Sequence, residues 1–229
     1  TEVTQMKYKL LKAQREFLEI PHKASLDVAV YQGGYGSGKT FAGSLLGILL
    51  CLKFPGIRGL VGAQTYTLVR DTTLQTYFEH LDNMNFKDGI DYEWSSSLQK
   101  LTFKNGSEIL FRHFDEPNKL KSLNLGFVEI EEMSDIPYDT FKMLIGRMRQ
   151  NIKPSWHNFT YRIFGHTNPE MQRGWVYKTF VNNKSPNYRL ITAPTTQNIY
   201  LPKGFCDELK KLYDEQYYKI FVLAQNAEY

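Results

Sequence analysis

"GGYGSGKT", residues 33–40, places four glycines in eight positions directly ahead of a lysine and a threonine. Each glycine gives up more backbone freedom on folding than any other residue. A turn alone needs one or two, so this density marks backbone that must come close to something. The β-prone run "DVAVYQ" (27–32) leads into it and the apolar run "FAGSLLGILLCL" (41–52) leaves it. Gly33, four residues, then Gly38-Lys39-Thr40 complete G-x-x-x-x-G-K-[ST] in the strand–loop–helix context the motif requires. In that context backbone N–H groups converge on phosphate oxygens, and the helix presents its positive dipole end to the same anion. Lys39 is expected to reach the β- and γ-phosphates and the Thr40 hydroxyl to hold Mg²⁺. Gly33, Gly34, Tyr35, Gly36, Ser37, Gly38, Lys39 and Thr40 thus form the candidate ATP-binding loop. The bland alternative is a glycine-rich turn with an incidental lysine, and the flanking strand and helix disfavour it.

Outward from the loop, "KYKLLKAQREFLEI" (7–20) spaces Leu10, Leu11, Phe17, Leu18 and Ile20 helically up to Pro21. A helix over 39–53, apolar nearly all round, reads as a crossover helix lying on a sheet. Strands are predicted at 58–64, 125–130, 161–169 and 188–194, with helices through 67–84, 138–148 and near 173–181. The stretch 92–114 alternates and carries Asn105-Gly106 between β-like arms, a hairpin cue. It reads as antiparallel strands inserted beside the main sheet or extending it. Residues 203–225 are helical and charged. The sum is an α/β fold with a mostly parallel central sheet and helices on both faces. A core over 1–200 and a small helical lid or linker over 201–229 are expected.

The run "FVEIEEM" (127–133) brings carboxylates to the end of a buried strand, the sheet edge where α/β folds bind ligands. Glu131 is assigned to the Mg²⁺ shell, through water, and Glu132 to polarising the attacking water. Glu129, which alternates with Glu131 if the strand stays regular, is the competing assignment. Gln14 offers an amide able to donate and accept at adenine's edge. "GHTNP" (165–169) ends a later strand, where Thr167 and Asn168 could sense the γ-phosphate or the attacking water; the bland reading is a strand-to-turn exit.

The chain has 229 residues and formal net charge +4, with 42% hydrophobic and 23% charged residues. That suits one globular unit and a polyanionic partner without demanding one. Cys51 and Cys206 show no metal-type spacing, so a reduced cytosolic protein is expected. The apolar run 41–52 is too short to span a bilayer. His22, His80, His113, His157 and His166 form no ligand spacing, and no G-x-S-x-G or Cys/His nucleophile signature stands out.

The combination resembles the large-terminase ATPase of tailed bacteriophages. "GSEILFRHFDEPNKLKSLNLGFVEIEEMSDIPYDTFKMLIGRMR" (106–149) is similar to that family's strand, loop, acidic pair and closing arginines. "GHTNPEMQRGWVYKTF" (165–180) and "TTQNIYLPKGFCDELKKL" (195–212) resemble its coupling segment and a later helix-leading stretch. The resemblance implies a P-loop NTPase of the ASCE type, the Mg-dependent ATPase of a motor that drives double-stranded DNA into a procapsid. It implies as partners the portal protein, the small terminase subunit and other copies of itself in a ring, with no membrane. The location implied is the host cell cytoplasm, transiently at the portal. Gln14 would match the adenine contact, Lys39 and Thr40 the phosphate and metal contacts, Glu132 the catalytic glutamate, and Thr167 and Asn168 the coupling motif. No C-terminal nuclease domain is expected within these residues.

The loop offers no arginine, since Tyr35 and Ser37 fill its variable positions. Lys119, Lys121, Arg147 and Arg149 are therefore the candidates for a cation acting in trans, against a plain solvated basic face. Three rival readings stand beside the motor. A nucleotide kinase would share the loop, a helicase would need a second motor domain, and a static nucleotide-binding module would show no turnover.

Overall fold

The computed structural model describes residues 8–19, 25–169, 174–182 and 185–226. An eight-stranded sheet has the order β3-β4-β5-β2-β6-β7-β1-β8. The strands are β1 (Leu26–Gly33), β2 (Arg58–Ala63), β3 (Tyr92–Ser95), β4 (Lys100–Phe103), β5 (Glu108–His113), β6 (Phe127–Glu131), β7 (Tyr161–Thr167) and β8 (Tyr188–Ala193). β1 pairs in parallel with both β7 and β8, and β6 with both β2 and β7. Antiparallel pairing is confined to one edge, β3 with β4 and β4 with β5.

The insertion extends the main sheet at one edge, one of the two placements expected, and only the direction of its last pairing differs from expectation. Its last strand, β5, is parallel to β2 and belongs to the main sheet. The Asn105-Gly106 turn returns the chain to the sheet's amino-terminal edge, with Gly106 at φ +82°, so the strand leaving it is launched in the common direction.

Alternation along the strands separates two cores, because successive side chains point to opposite faces. Ala29 and Tyr31 of β1, Phe127 of β6 and Phe164 of β7 face one layer; Val28, Val30, Val128 and Ile163 face the other. The first layer is covered by α1 (Lys12–Leu18), α2 (Lys39–Lys53), α3 (Tyr66–Leu68) and α4 (Leu74–Asn83), the last two joined by a π-helical segment, Val69–Thr73. The second is covered by α5 (Tyr138–Ile145) and a π-helical segment, Tyr177–Asn182, through Phe141 and Phe180.

At seven residues α1 is too short to hold its shape alone. Phe17 anchors it, fully buried with ring centroids 5.5 Å from Tyr31 and 6.1 Å from Phe164. The helix is shorter than its pattern suggests, and Ile20 and Pro21 lie outside the described residues. Toward the chain's end, α6 (Phe205–Leu212) and α7 (Glu215–Phe221) follow β8. No helix among the described residues is long and apolar enough to cross a membrane.

Candidate nucleotide site

The glycine loop occupies the turn between β1 and α2. Gly36 at φ +67° and Gly38 at φ +79° adopt the left-handed backbone that side chains disfavour, while the N–H groups of Gly34, Tyr35 and Ser37 donate to the carbonyls of Ala193, Phe221 and Gly34. α2 starts at Lys39 with no side-chain cap, leaving its first-turn N–H groups for an anion. The Ser37 hydroxyl oxygen is buried in the loop without a hydrogen-bond partner. An unpaired donor inside a cationic cradle is what a phosphate oxygen would satisfy.

The loop is held from outside by the chain's last segment. Tyr35 N–H donates to the Phe221 carbonyl at 2.7 Å, and its ring stacks on Phe221 at 4.9 Å. Thr195 Oγ1 donates to the Tyr35 carbonyl at 2.7 Å, and Asn198 Nδ2 to that of Gly36 at 2.6 Å. Gly34 has to be glycine here: a Cβ would come 2.6 Å from the Phe221 carbonyl oxygen. Within the loop, Tyr35 therefore turns its ring to the C-terminal helices.

Beside the loop opens a cleft of about 520 Å³, lined by Tyr8, Leu11, Gln14, Phe41, Asn198 and Tyr200 among others. Gln14 is 5% exposed; its Oε1 accepts from Leu11 N–H at 2.9 Å and its Nε2 donates to the Gly38 carbonyl at 3.2 Å. The amide thus ties the cleft wall to the loop, with one N–H and one lone pair left over. Apolar and aromatic walls around a few polar groups suit a flat heteroaromatic ring.

On the loop's other side, Lys39 Nζ donates to Asn168 Oδ1 at 3.0 Å. Burial pulls the lysine below its ordinary pKa, while Glu132 and Glu131 act to keep it charged. Glu131 ends β6, and Glu132 leaves the strand at φ +44°, ψ +64°, a left-handed conformation rare outside glycine. The pair therefore does not alternate as adjacent strand residues would. Burial, reinforced by Glu131, raises the Glu132 carboxyl above its usual range against the pull of Lys39. Burial acts the same way on Glu131, but His166, Thr73 and Lys39 outweigh it and hold that carboxyl low. One carboxylate is kept ionised and its neighbour is made the better proton acceptor.

Glu129 stands apart from this pair. It is fully buried behind Glu131 on the same strand face, accepts from Tyr77 OH at 2.6 Å and lies 3.0 Å from His166 Nε2. Its hydrogen-bond partners are Tyr77 and His166, and Lys39 is not among them. Thr167 is buried, its hydroxyl 2.7 Å from Ser134 Oγ, so the end of β7 touches both the turn after Glu132 and, through Asn168, the loop lysine.

Two of the four candidate cations, Arg147 and Arg149, lie elsewhere. Arg147 O accepts from Leu125 N–H at 2.9 Å, and Gly126 N–H donates to Arg58 O at 2.8 Å, all at the amino-terminal edge of the sheet. Arg149 Nε donates to Asn124 Oδ1 at 2.6 Å, and Arg147 donates to the Lys121 carbonyl. Lys119 is exposed and paired with Glu116. The loop is at the carboxyl edge, so Arg147 and Arg149 cannot serve their own chain's site.

The sequence reading missed Thr73, Tyr77 and His166. His166 is fully buried between Glu129 and Glu131, with Nδ1 3.2 Å from Glu131 Oε1, an ion-pair contact off the line of a good hydrogen bond. Burial opposes its charging, yet the two carboxylates prevail and push its pKa up to about 10. The available signal was a histidine within the apolar strand "YRIFGHT".

Residues 26–225 match the profile of the family described as phage terminase large subunit. The chain belongs to that family. The PBSX phage terminase large subunit of Bacillus subtilis (strain 168) is 31% identical over 210 residues, covering 82% of this chain and 46% of the relative. Among solved structures, the large terminase of a thermophilic bacteriophage in complex with ADP superposes with a TM-score of 0.79 at 15% identity, over 94% of this chain and 53% of that one. The Thermus phage P74-26 large terminase ATPase domain gives 0.70 at 16% identity, over 96% and 95%. These likenesses show a P-loop NTPase fold for this terminase chain. It spans about half the length of its curated relative.

Proposed function

We propose that these residues form the Mg-dependent ATP hydrolase of a motor that packages double-stranded DNA into a procapsid. The observation that carries the reading is the convergence of the glycine loop, Lys39, Asn168, and the Glu131–Glu132 pair at the carboxyl edge of β1, β6 and β7. The cleft beside Gln14 takes the adenine ring, and the first-turn N–H groups of α2 and the Lys39 ammonium take the phosphates. The donor set fits Mg²⁺: Thr40 offers a hydroxyl beside the phosphates and Glu131 an ionised carboxylate, both hard oxygen ligands. When bound, the ion would neutralise charge on the β- and γ-oxygens.

Glu132 orients the attacking water and accepts its proton, a task its raised pKa favours. Thr167 and Asn168 report the γ-phosphate to β7, and residues 201–229 act as a lid on the loop. The partners that fit are DNA, the portal protein, the small terminase subunit and further copies of this chain, in the host cytoplasm at the portal.

The test is phosphate release from Mg·ATP by this chain and by Lys39→Ala. Loss of hydrolysis with an unchanged melting curve is expected, because the lysine acts on ligand charge and not on packing. Undiminished turnover in the folded variant would reject the site. Release without an acceptor excludes a kinase, and any turnover excludes a static binder.

A further inference from the structure

Behind the Glu131 carboxylate lies a chain of buried polar contacts that hydrolysis as described above does not use. Thr73 Oγ1 donates to Glu131 Oε2 at 2.5 Å, and His166 Nδ1 lies 3.2 Å from Oε1. On its far side His166 Nε2 lies 3.0 Å from Glu129 Oε1, and Tyr77 OH donates to Glu129 Oε2 at 2.6 Å. Glu129 and His166 are fully buried and Glu131 nearly so, at 3% exposure. α2 is pressed onto the same cluster: a Cβ on Gly43 would come 2.8 Å from His166 Nε2.

We propose that Thr73 and His166 are positioning residues that fix the Glu131 carboxylate, one oxygen each, while Glu129 and Tyr77 brace His166 from behind. The proposal rests on the reading of Glu131 as part of the Mg²⁺ shell. A glutamate has one more rotatable bond than an aspartate, and two buried partners remove its rotamer freedom before the ion arrives. A cluster serving stability alone would be replaced at little cost by apolar groups. This one ends on the carboxylate that faces the loop. Partners that orient ligating groups typically change metal affinity or activity by about 10–100-fold when removed.

Two substitutions separate positioning from core packing. The amide nitrogen of His166→Asn takes the place of Nδ1, toward Glu131, and that of His166→Gln takes the place of Nε2, toward Glu129. Binding of a fluorescent non-hydrolysable ATP analogue would be titrated with Mg²⁺, alongside kcat and KM. In His166→Gln, analogue affinity in EDTA is expected to hold, while the Mg²⁺ concentration for half-maximal stimulation rises about 10–100-fold and kcat falls with KM for ATP little changed. His166→Asn, which keeps a donor toward Glu131 but loses the charge, is expected to shift the Mg²⁺ response less than His166→Gln does.

Equal behaviour of the two variants, following only their melting temperatures, or a parent-like Mg²⁺ response in His166→Gln, would overturn the proposal. If either fails to fold, Thr73→Val decides, because it removes the other clamp; an unshifted Mg²⁺ response there overturns it too. Loss of analogue binding in Lys39→Ala combined with silent His166→Gln and Thr73→Val sinks the positioning role alone. Mg²⁺-independent binding that Lys39→Ala leaves intact sinks the nucleotide site itself.

Discussion

Glu132 carries the sharpest local irregularity near the loop, a left-handed backbone on a β-carbon residue. Such a conformation costs about 1–3 kcal/mol and persists only where surrounding contacts impose it. Here it turns the carboxyl out of the strand's alternation, so that Glu131 and Glu132 both stand near Lys39. Glu132→Gln is expected to keep nucleotide affinity and lose turnover by about 10²-fold or more, as removal of a general base does. If Glu131→Gln is the slower variant with Mg²⁺ response intact, the two roles exchange. His166 gives a pH prediction of stability. Its folded pKa, about 10, lies above the ordinary histidine value. The stabilisation is full below that ordinary value and drains away as pH rises toward 10. Melting temperature should therefore fall between neutrality and pH about 10, less steeply in His166→Asn, as circular dichroism can follow. At this scale Lys39, Thr40 and the acidic pair were legible because a linear motif and a strand end mark them. Thr73 and Tyr77 were not, since nothing local distinguishes a threonine or tyrosine aimed at a carboxylate 58 or 52 residues away.

Among elements, α2 does two jobs, opening on the phosphate loop and packing flat against β6 and β7. Gly43 permits the second, and Gly43→Ala is expected to destabilise the fold by about 1–3 kcal/mol, the usual cost of overpacking. Urea unfolding measures it. A parent-like midpoint would mean that Glu129 and His166 can move aside. The π-helical Val69–Thr73 segment has its own consequence: the wider turn brings the Thr73 hydroxyl onto Glu131 where it meets α4. Hydrophobic period found the long helices, and Asn105-Gly106 found the hairpin. Period alone could not place β5 in the parallel sheet, because strand direction is a property of partners and not of pattern. It also overran α1, where Leu10 and Leu11 continue the apolar spacing outside the helix.

For the whole molecule, the distance between the loop and the basic amino-terminal edge makes the missing cation a question about neighbours. An added cation at a transferring phosphoryl group is commonly worth about 10³–10⁵ in rate. If Lys119, Lys121, Arg147 or Arg149 supplies it to an adjacent copy, turnover per chain should rise with protein concentration. Mixing Lys39→Ala, which retains the cation, with a chain lacking that cation should restore activity. Mixtures no better than the separate variants would assign those four to an ordinary surface. The strand order carries a different consequence, one for the order of assembly. β1 is flanked by β7 and β8, which begin 135 and 162 residues after it, and the loop is tied to Phe221, farther still. Contacts so remote in sequence close late and slowly. On the ribosome β1 must wait for β7 and β8 while β2, β3, β4 and β5 can already meet. The glycine loop, translated before every strand but β1, is among the last of these features to take shape, so a chain interrupted anywhere before Phe221 would bear the motif without the grip.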